Sequence, residues 1–263
     1  MTRRRGLLCF LILVLLFIPK LSDQIAKASF EKFRNPDLAL ILNFNDATLA
    51  MSIGNYFFGG GEYDLKKAEK SFKRAVGINP GVLRGHYQLA RIYFIENKFD
   101  SALEEINREL EYNSENLRAL YVRGLIYGFS GKLADAEKDF LRFTQWAPKE
   151  WAGYNDLAWV LSKQGKDAEA ENIILLAFKK AIRAEENPWL WNALGVAELN
   201  VGKYKEALLA FKKANVLTEN LTLEDWRRAY PGNNPATARS GIRQFRNAVA
   251  KNLQKAEMIA VEK

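Results

Sequence analysis

The chain has 263 residues, 48% hydrophobic and 27% charged, a composition able to build an extended structure around a continuous core. Cysteine and histidine each occur once, which excludes an intramolecular disulfide and a zinc site of the usual His/Cys kind. The formal charge of +8 sits at the two ends: residues 1–28 and 220–263 carry +4 each, and the body between them holds 26 basic and 26 acidic residues. A neutral body lacks the basic footprint of a nucleic-acid groove, so nucleic acid is not an expected partner.

The chain opens MTRRRGLLCFLILVLLFIPK: three arginines, twelve apolar residues from Leu7 to Ile18, then Pro19 and Lys20. Basic, apolar, break is the order of an export signal, and residues 1–28 are expected to be a signal or a membrane anchor. Ala26-Lys27-Ala28 before Ser29 offers small residues where a signal peptidase reads, although about ten residues beyond the apolar run. Twelve apolar residues are short of the roughly 20 that span a bilayer. Cleaved signal and uncleaved anchor both stay open, and either places the following domain outside the cytoplasmic membrane. Cys9 lies inside the apolar run, before most of it, which does not fit lipidation. Residues 29–45 read as a lead-in.

From residue 46 to 219 the chain repeats itself. Ala68, Ala102, Ala136, Ala170 and Ala207 follow one another at steps of 34, 34, 34 and 37. Twelve residues before the last four lie Ala90, Gly124, Ala158 and Gly195, and Gly54 stands fourteen before the first, its loop lengthened by Gly59-Gly60-Gly61. Four residues after each alanine comes Phe72, Ile106, Phe140, Ile174 or Phe211. Such a period predicts stacked helix–turn–helix units, with small residues where two helix axes approach most closely. Asn97, Gly131, Gly165 and Gly202 hold one equivalent inter-helix place, which wants a left-handed turn residue. Pro80 and Pro148 close two of the units. No segment alternates as a strand does, so the expected class is all-α.

These residues resemble the tetratricopeptide (TPR) repeat. The fifth copy supplies Trp191, Leu194, Gly195, Tyr204, Ala207, Phe211 and Ala214. The third supplies Leu120, Gly124, Tyr127, Ala136, Phe140 and Pro148, and the other copies match in part. Arg123 and Glu198 occupy places that are usually apolar. The resemblance implies a right-handed helix–turn–helix solenoid of five repeats whose first helices line a concave groove. The expected lining residues are Asn55 from the first copy, Arg84, Tyr87 and Arg91 from the second, and Arg118 and Tyr121 from the third. Asn155 and Trp159 come from the fourth and Trp189 and Asn192 from the fifth. Arginine, tyrosine, tryptophan and asparagine are hot-spot residue types, where a merely solvated face would favour Lys and Glu. The arginines point to a protein or peptide segment with acidic residues. The family's carboxylate clamp is incomplete, because Met51, Gln88 and Val122 hold three of its places.

Catalysis is not expected. His86 falls where the repeat buries an aromatic or leucine, no Cys-His or Ser-His-Asp set can be assembled, and the three glycines lack the Lys-Ser/Thr of a phosphate loop. No metal or cofactor is implied. In residues 220–263, Thr222-Leu-Glu-Asp225 predicts a capped short helix, and Asn234-Pro235 opens another. Ile242, Phe245, Val249, Leu253 and Ala256 give that last helix an apolar stripe able to cap the open end of the fifth repeat. Arg239, Arg243 and Arg246 form a basic stripe beside it. The sequence therefore reads as a non-catalytic interaction scaffold outside the membrane, or alternatively as a docking subunit of an envelope enzyme, polymer-assembly or secretion system.

Overall fold

A computed structural model describes residues 19–230 and 233–262, and the apolar run Leu7–Ile18 lies outside them. Among the described residues there are fourteen α-helices and a single isolated bridge, Phe58 to Tyr63. No described helix is long and apolar enough to cross a membrane. The chain divides between Ser114 and Glu115 into two compact units.

The first unit contains α1 (Pro19–Glu31), α2 (Pro36–Leu42), α3 (Ala47–Phe57), α4 (Leu65–Ile78), α5 (Gly85–Ile95) and α6 (Phe99–Tyr112). Residues 19–42, read from sequence as leader and lead-in, form a helix pair packed ahead of the first repeat. Ser22 donates to the carbonyl of Leu42 at 2.6 Å, and Asp23 accepts from the Phe44 and Asn45 amides at 2.7 and 3.1 Å. Arg74 of α4 donates to the carbonyls of Leu40 and Asn43, holding the end of α2 against the repeat. Ala26 and Ser29 are buried in this contact, so the Ala28–Ser29 bond lies within α1.

The second unit contains α7 (Leu117–Phe129), α8 (Leu133–Trp146), α9 (Trp151–Lys163), α10 (Asp167–Lys180), α11 (Pro188–Asn200), α12 (Tyr204–Glu219), α13 (Leu223–Ala229) and α14 (Ala238–Glu262). Within it, α7–α8, α9–α10 and α11–α12 are successive antiparallel pairs, and α14 lies along α12. Ile242, Val249 and Ala256 of α14 are buried, while Phe245 and Leu253 are half-buried. Arg246 donates to the carbonyls of Thr218 and Glu219 at 2.8 and 3.0 Å. Its place in the basic stripe is thus a C-terminal cap of α12, satisfying carbonyls the helix leaves open.

The spacing found in the sequence has a direct steric cause. A Cβ on Gly54 would lie 2.4 Å from the Phe72 ring, one on Gly124 2.8 Å from Phe140, and one on Gly195 2.7 Å from Phe211. In repeats 2 and 4 the small residue is Ala90 or Ala158 and the large one Ile106 or Ile174, all buried. Glycine goes with phenylalanine and alanine with isoleucine, so the pair fills a nearly constant volume at each helix crossing. The inter-helix place is left-handed as expected, with φ of 58° at Asn97, 82° at Gly131, 77° at Gly165 and 84° at Gly202. The Gly59–Gly61 loop is a tight turn whose amides donate to the carbonyls of Glu62, Asn55 and Tyr56.

Candidate functional site

On the first helices of the first unit, α3 and α5, a polar chain runs between repeats. Gln88 Nε2 donates to Asn55 Oδ1 at 2.6 Å, and Arg91 donates to Gln88 Oε1 at 2.7 Å. The Arg91 guanidinium lies 4.7 Å from the Phe58 ring centroid and 5.4 Å from that of Tyr87. Two aromatic faces and an amide therefore fix a positive charge on this face. Tyr87 itself is buried beneath it. Arg84 is exposed at the start of α5, in a left-handed conformation with φ 65°. His86 is buried, 2.6 Å from Glu105 through Nδ1 and stacked on Tyr112 at 6.0 Å, a packed position on the side of the helix that faces α6.

The first helices of the second unit, α7, α9 and α11, carry a different chemistry. Arg118 is exposed. Tyr121 donates its hydroxyl to Asp156, and Asn155 donates to the same carboxylate at 3.0 Å. Burial pushes the Asp156 carboxyl up to about 6 against the lowering effect of those two hydrogen bonds. Trp159 is half-buried over Gly128, with the exposed Phe129 ring 5.0 Å from its centroid.

Trp189 stands at the centre of an aromatic cluster. It stacks between Trp151, at 5.2 Å and 20°, and Phe245 of α14, at 5.3 Å and 12°. Trp226 of α13 and Tyr230 lie 6.4 and 6.2 Å away, and the indole Nε1 donates to the Tyr230 hydroxyl at 3.0 Å. Trp189 is left 7% exposed, so the C-terminal segment of this same chain covers it. Asn192, one turn on, accepts from Asn252 of α14 at 2.9 Å. Of the expected lining residues, Asn55, Arg84 and Arg118 are exposed, Arg91, Tyr121, Asn155, Trp159 and Asn192 are half-buried, and Tyr87 and Trp189 are buried.

Sequence reasoning missed the bond by which Gln88 links two repeats, Asp156, which lies one residue from Asn155, the aromatics Trp226 and Tyr230, and the stacking of the capping residue Phe245 on Trp189. Gln88 and Asp156 were findable, since each follows a lining position on the same helix. The contacts of Trp226 and Tyr230 with Trp189 carry no local signal. Among the described residues no group of three or more His, Cys, Asp or Glu side chains is placed to hold a metal ion.

Residues 117–150, which span α7 and α8, match the tetratricopeptide repeat family. BBSome complex member BBS4 from Bos taurus is 24% identical over 205 residues, 78% of this chain, and the chain spans only 37% of that relative's length. Among solved structures, YrrB, described as a TPR protein with an unusual peptide-binding site, aligns with a TM-score of 0.56 at 15% identity, over 70% of this chain and 93% of its own. A MamA structure aligns with a TM-score of 0.57 at 18% identity, over 70% of this chain and 95% of its own. The five-copy pattern, the helix pairs within each unit and these likenesses agree on an all-α helical solenoid fold, in which residues 117–150 match the tetratricopeptide repeat family.

Proposed function

We propose that this protein is a non-catalytic interaction scaffold that binds a protein segment on the exposed faces of its first helices. The observation that carries the reading is Arg91 held by Phe58, Tyr87 and Gln88, with Arg84 exposed at the start of the same helix and Arg118 exposed on the second unit. The prepositioned Arg91 guanidinium favours a carboxylate-bearing segment, because planar bidentate pairing needs little further ordering. The peptide-binding site named for YrrB supports the same use of a related fold.

We place the scaffold outside the cytoplasmic membrane, tethered by its N-terminal segment. The order of basic and apolar residues in 1–20 supports export. The burial of Ala26 and Ser29 in a packed helix supports the tether over cleavage after Ala28, since that cut would remove most of α1.

The test is capture from a detergent extract with full-length protein and with an Arg84→Gly/Arg118→Ala variant. The double variant should lose about 1–3 kcal/mol of affinity for the captured partner, the range for charged hydrogen bonds. Undiminished capture by a folded variant, and by a folded variant with Arg91→Ala added, would show that these faces do not bind the partner. An intact N-terminus in the membrane fraction, read by mass spectrometry, supports the tether; a mature start at Ser29 rejects it.

A further inference from the structure

The C-terminal segment does two separable things. Helix α14 presents Ile242, Val249 and Ala256 to the last repeat and is buried along that stripe. The stretch before it behaves differently. Helix α13 has only seven residues, opened by a capping box in which Thr222 and Asp225 satisfy each other's backbone amides, and none of its residues is buried. Its attachment to the repeats is made by aromatic rings. Trp226 packs between Trp189 and Gly241, where a Cβ would come within 2.2 Å of the indole. Tyr230 sits against both tryptophans, 4.4 Å from Trp226, and accepts the hydrogen bond of the Trp189 indole.

That arrangement matches how a docked peptide is held. A short segment with no buried helical residue lays two aromatic rings against the receptor, Trp226 half-buried and Tyr230 37% exposed, and one hydroxyl takes the single donor that the receptor tryptophan offers. The receptor side comes from two first helices, Trp151 from α9 and Trp189 from α11. Beside it lies Asp156, near enough to Tyr230 that its charge helps to push the Tyr230 hydroxyl up to about 12, after the larger effect of burial. Asp156 is half-buried beneath the Tyr121 hydroxyl and the Asn155 amide. The segment itself runs Glu-Asp-Trp-Arg-Arg-Ala-Tyr from 224 to 230, with Arg227 and Arg228 exposed.

We propose that Trp226–Tyr230 is an intramolecular stand-in for a partner's segment, occupying an aromatic receptor site around Trp189 until a competing segment displaces it. The proposal rests on the interaction reading above and deepens it. It names a partner segment that brings an aromatic anchor, best a tyrosine or tryptophan, to the second unit. Tethering in cis gives the stand-in an effective concentration on the order of millimolar, so a weak contact suffices to keep the site closed. Displacing α13 would bare Gly241 of α14, while the α14 stripe of Ile242, Val249 and Ala256 keeps its own burial along the last repeat.

The test uses the full-length chain and a fluorescent synthetic peptide of residues 221–230. A Trp226→Ala/Tyr230→Ala variant, with the stand-in disabled, should bind the peptide at least about tenfold more tightly than the unmodified chain. Adding Trp189→Phe to that variant keeps a stacking ring but removes the indole donor, and should weaken binding severalfold. Circular dichroism and the melting point confirm that each variant is folded. Hydrogen exchange gives an independent reading: amides of 223–230 should exchange much faster than those of 242–256 in the unmodified chain. Equal peptide affinity with and without the native anchors would overturn the proposal. So would absence of saturable binding to the variant, or binding indifferent to Trp189→Phe. Capture lost on substitution of Arg84 and Arg118, together with a failed peptide test, would reject the stand-in while leaving the interaction reading intact.

Discussion

Repeat 2, formed by α5 and α6, and repeat 5, formed by α11 and α12, meet three common packing problems with different residues. At the helix crossing, repeat 2 places Ala90 and Ile106 where repeat 5 places Gly195 beneath Phe211. At the contact with the preceding repeat, Tyr93 donates its hydroxyl to Glu69 at 2.9 Å, while the equivalent Glu198 comes near Glu171. At the start of the first helix, Arg84 sits left-handed with no side-chain cap, whereas Asn187 accepts from the amides of Trp189 and Leu190. The contrast separates what the repeat requires from what it tolerates. Volume at the crossing is conserved to within a methyl group or so, polarity at the junction is not, and helix capping is optional.

The crossing should give the largest response. Gly195→Ala forces a Cβ to 2.7 Å from a fully buried ring, so overpacking of up to about 3 kcal/mol is expected. Alanine returns about 1 kcal/mol of helix propensity, for a net loss of about 2 kcal/mol. Adding Phe211→Ile, the partner used by repeat 2, should recover most of that loss. Denaturant unfolding of the two single variants and the double gives the coupling, expected at about 1–2 kcal/mol. Additive effects would mean that the two residues do not share one volume.

Next in size is the junction. Glu198 is buried, its Oε2 has no hydrogen-bond partner, and its carboxyl is pushed up to about 7. Burial is the main cause, followed by the charges of Glu171 and Glu206, against the opposing Lys203, which donates to Glu171 at 2.6 Å. A carboxyl raised in the folded state binds a proton there that the unfolded chain has already released. Stability is therefore fully kept below about pH 4.5, falls as pH rises from there to about 7, and stays lower above. After allowance for solvent screening the loss is about 1–2 kcal/mol. Glu198→Gln should raise the unfolding midpoint at pH 8 and leave it nearly unchanged at pH 4.5. Asp156, raised to about 6, acts in the same sense over a lower window but titrates alike in both proteins, so it cancels from the variant's gain. An equal gain at both pH values would exclude proton linkage at Glu198.

How much of this was readable in the sequence depends on the range of the contact. The 34-residue period, the left-handed turns and the apolar stripe of α14 are local patterns, and each appears in the structure where the pattern put it. The α1–α2 pair escaped because α1 buries only small residues, Ser22, Ala26 and Ser29, in place of the large apolar ones that announce a core face. Lining positions followed from helical spacing, which fixes a face but not what else folds onto it. Trp189 shows the gap: its burial comes from Trp226, Tyr230 and Phe245, which lie dozens of residues further along the chain. Arg91 shows another, since its attachment to Phe58 comes from the glycine-lengthened loop of the previous repeat.

The smallest effects belong to the helix starts, and here repeats 2 and 5 should respond with opposite sign. Asn187→Ala removes an acceptor from two amides at the start of α11 and should cost about 1 kcal/mol. Arg84 makes no such bond, and its φ of 65° carries the left-handed penalty of roughly 1 kcal/mol that glycine avoids. Arg84→Gly loosens the unfolded chain as well, which takes back part of the gain and leaves about 0.5 kcal/mol of stabilisation. Thermal unfolding resolves that difference as a small rise in melting point. Paired with the binding assay, the substitution gains further meaning: if the exposed guanidinium serves a ligand, Arg84→Gly stabilises the fold while weakening capture. A strained arginine that can be removed with benefit to both would have no part in binding, leaving Arg91 and its aromatic cradle as the basic anchor of the first unit.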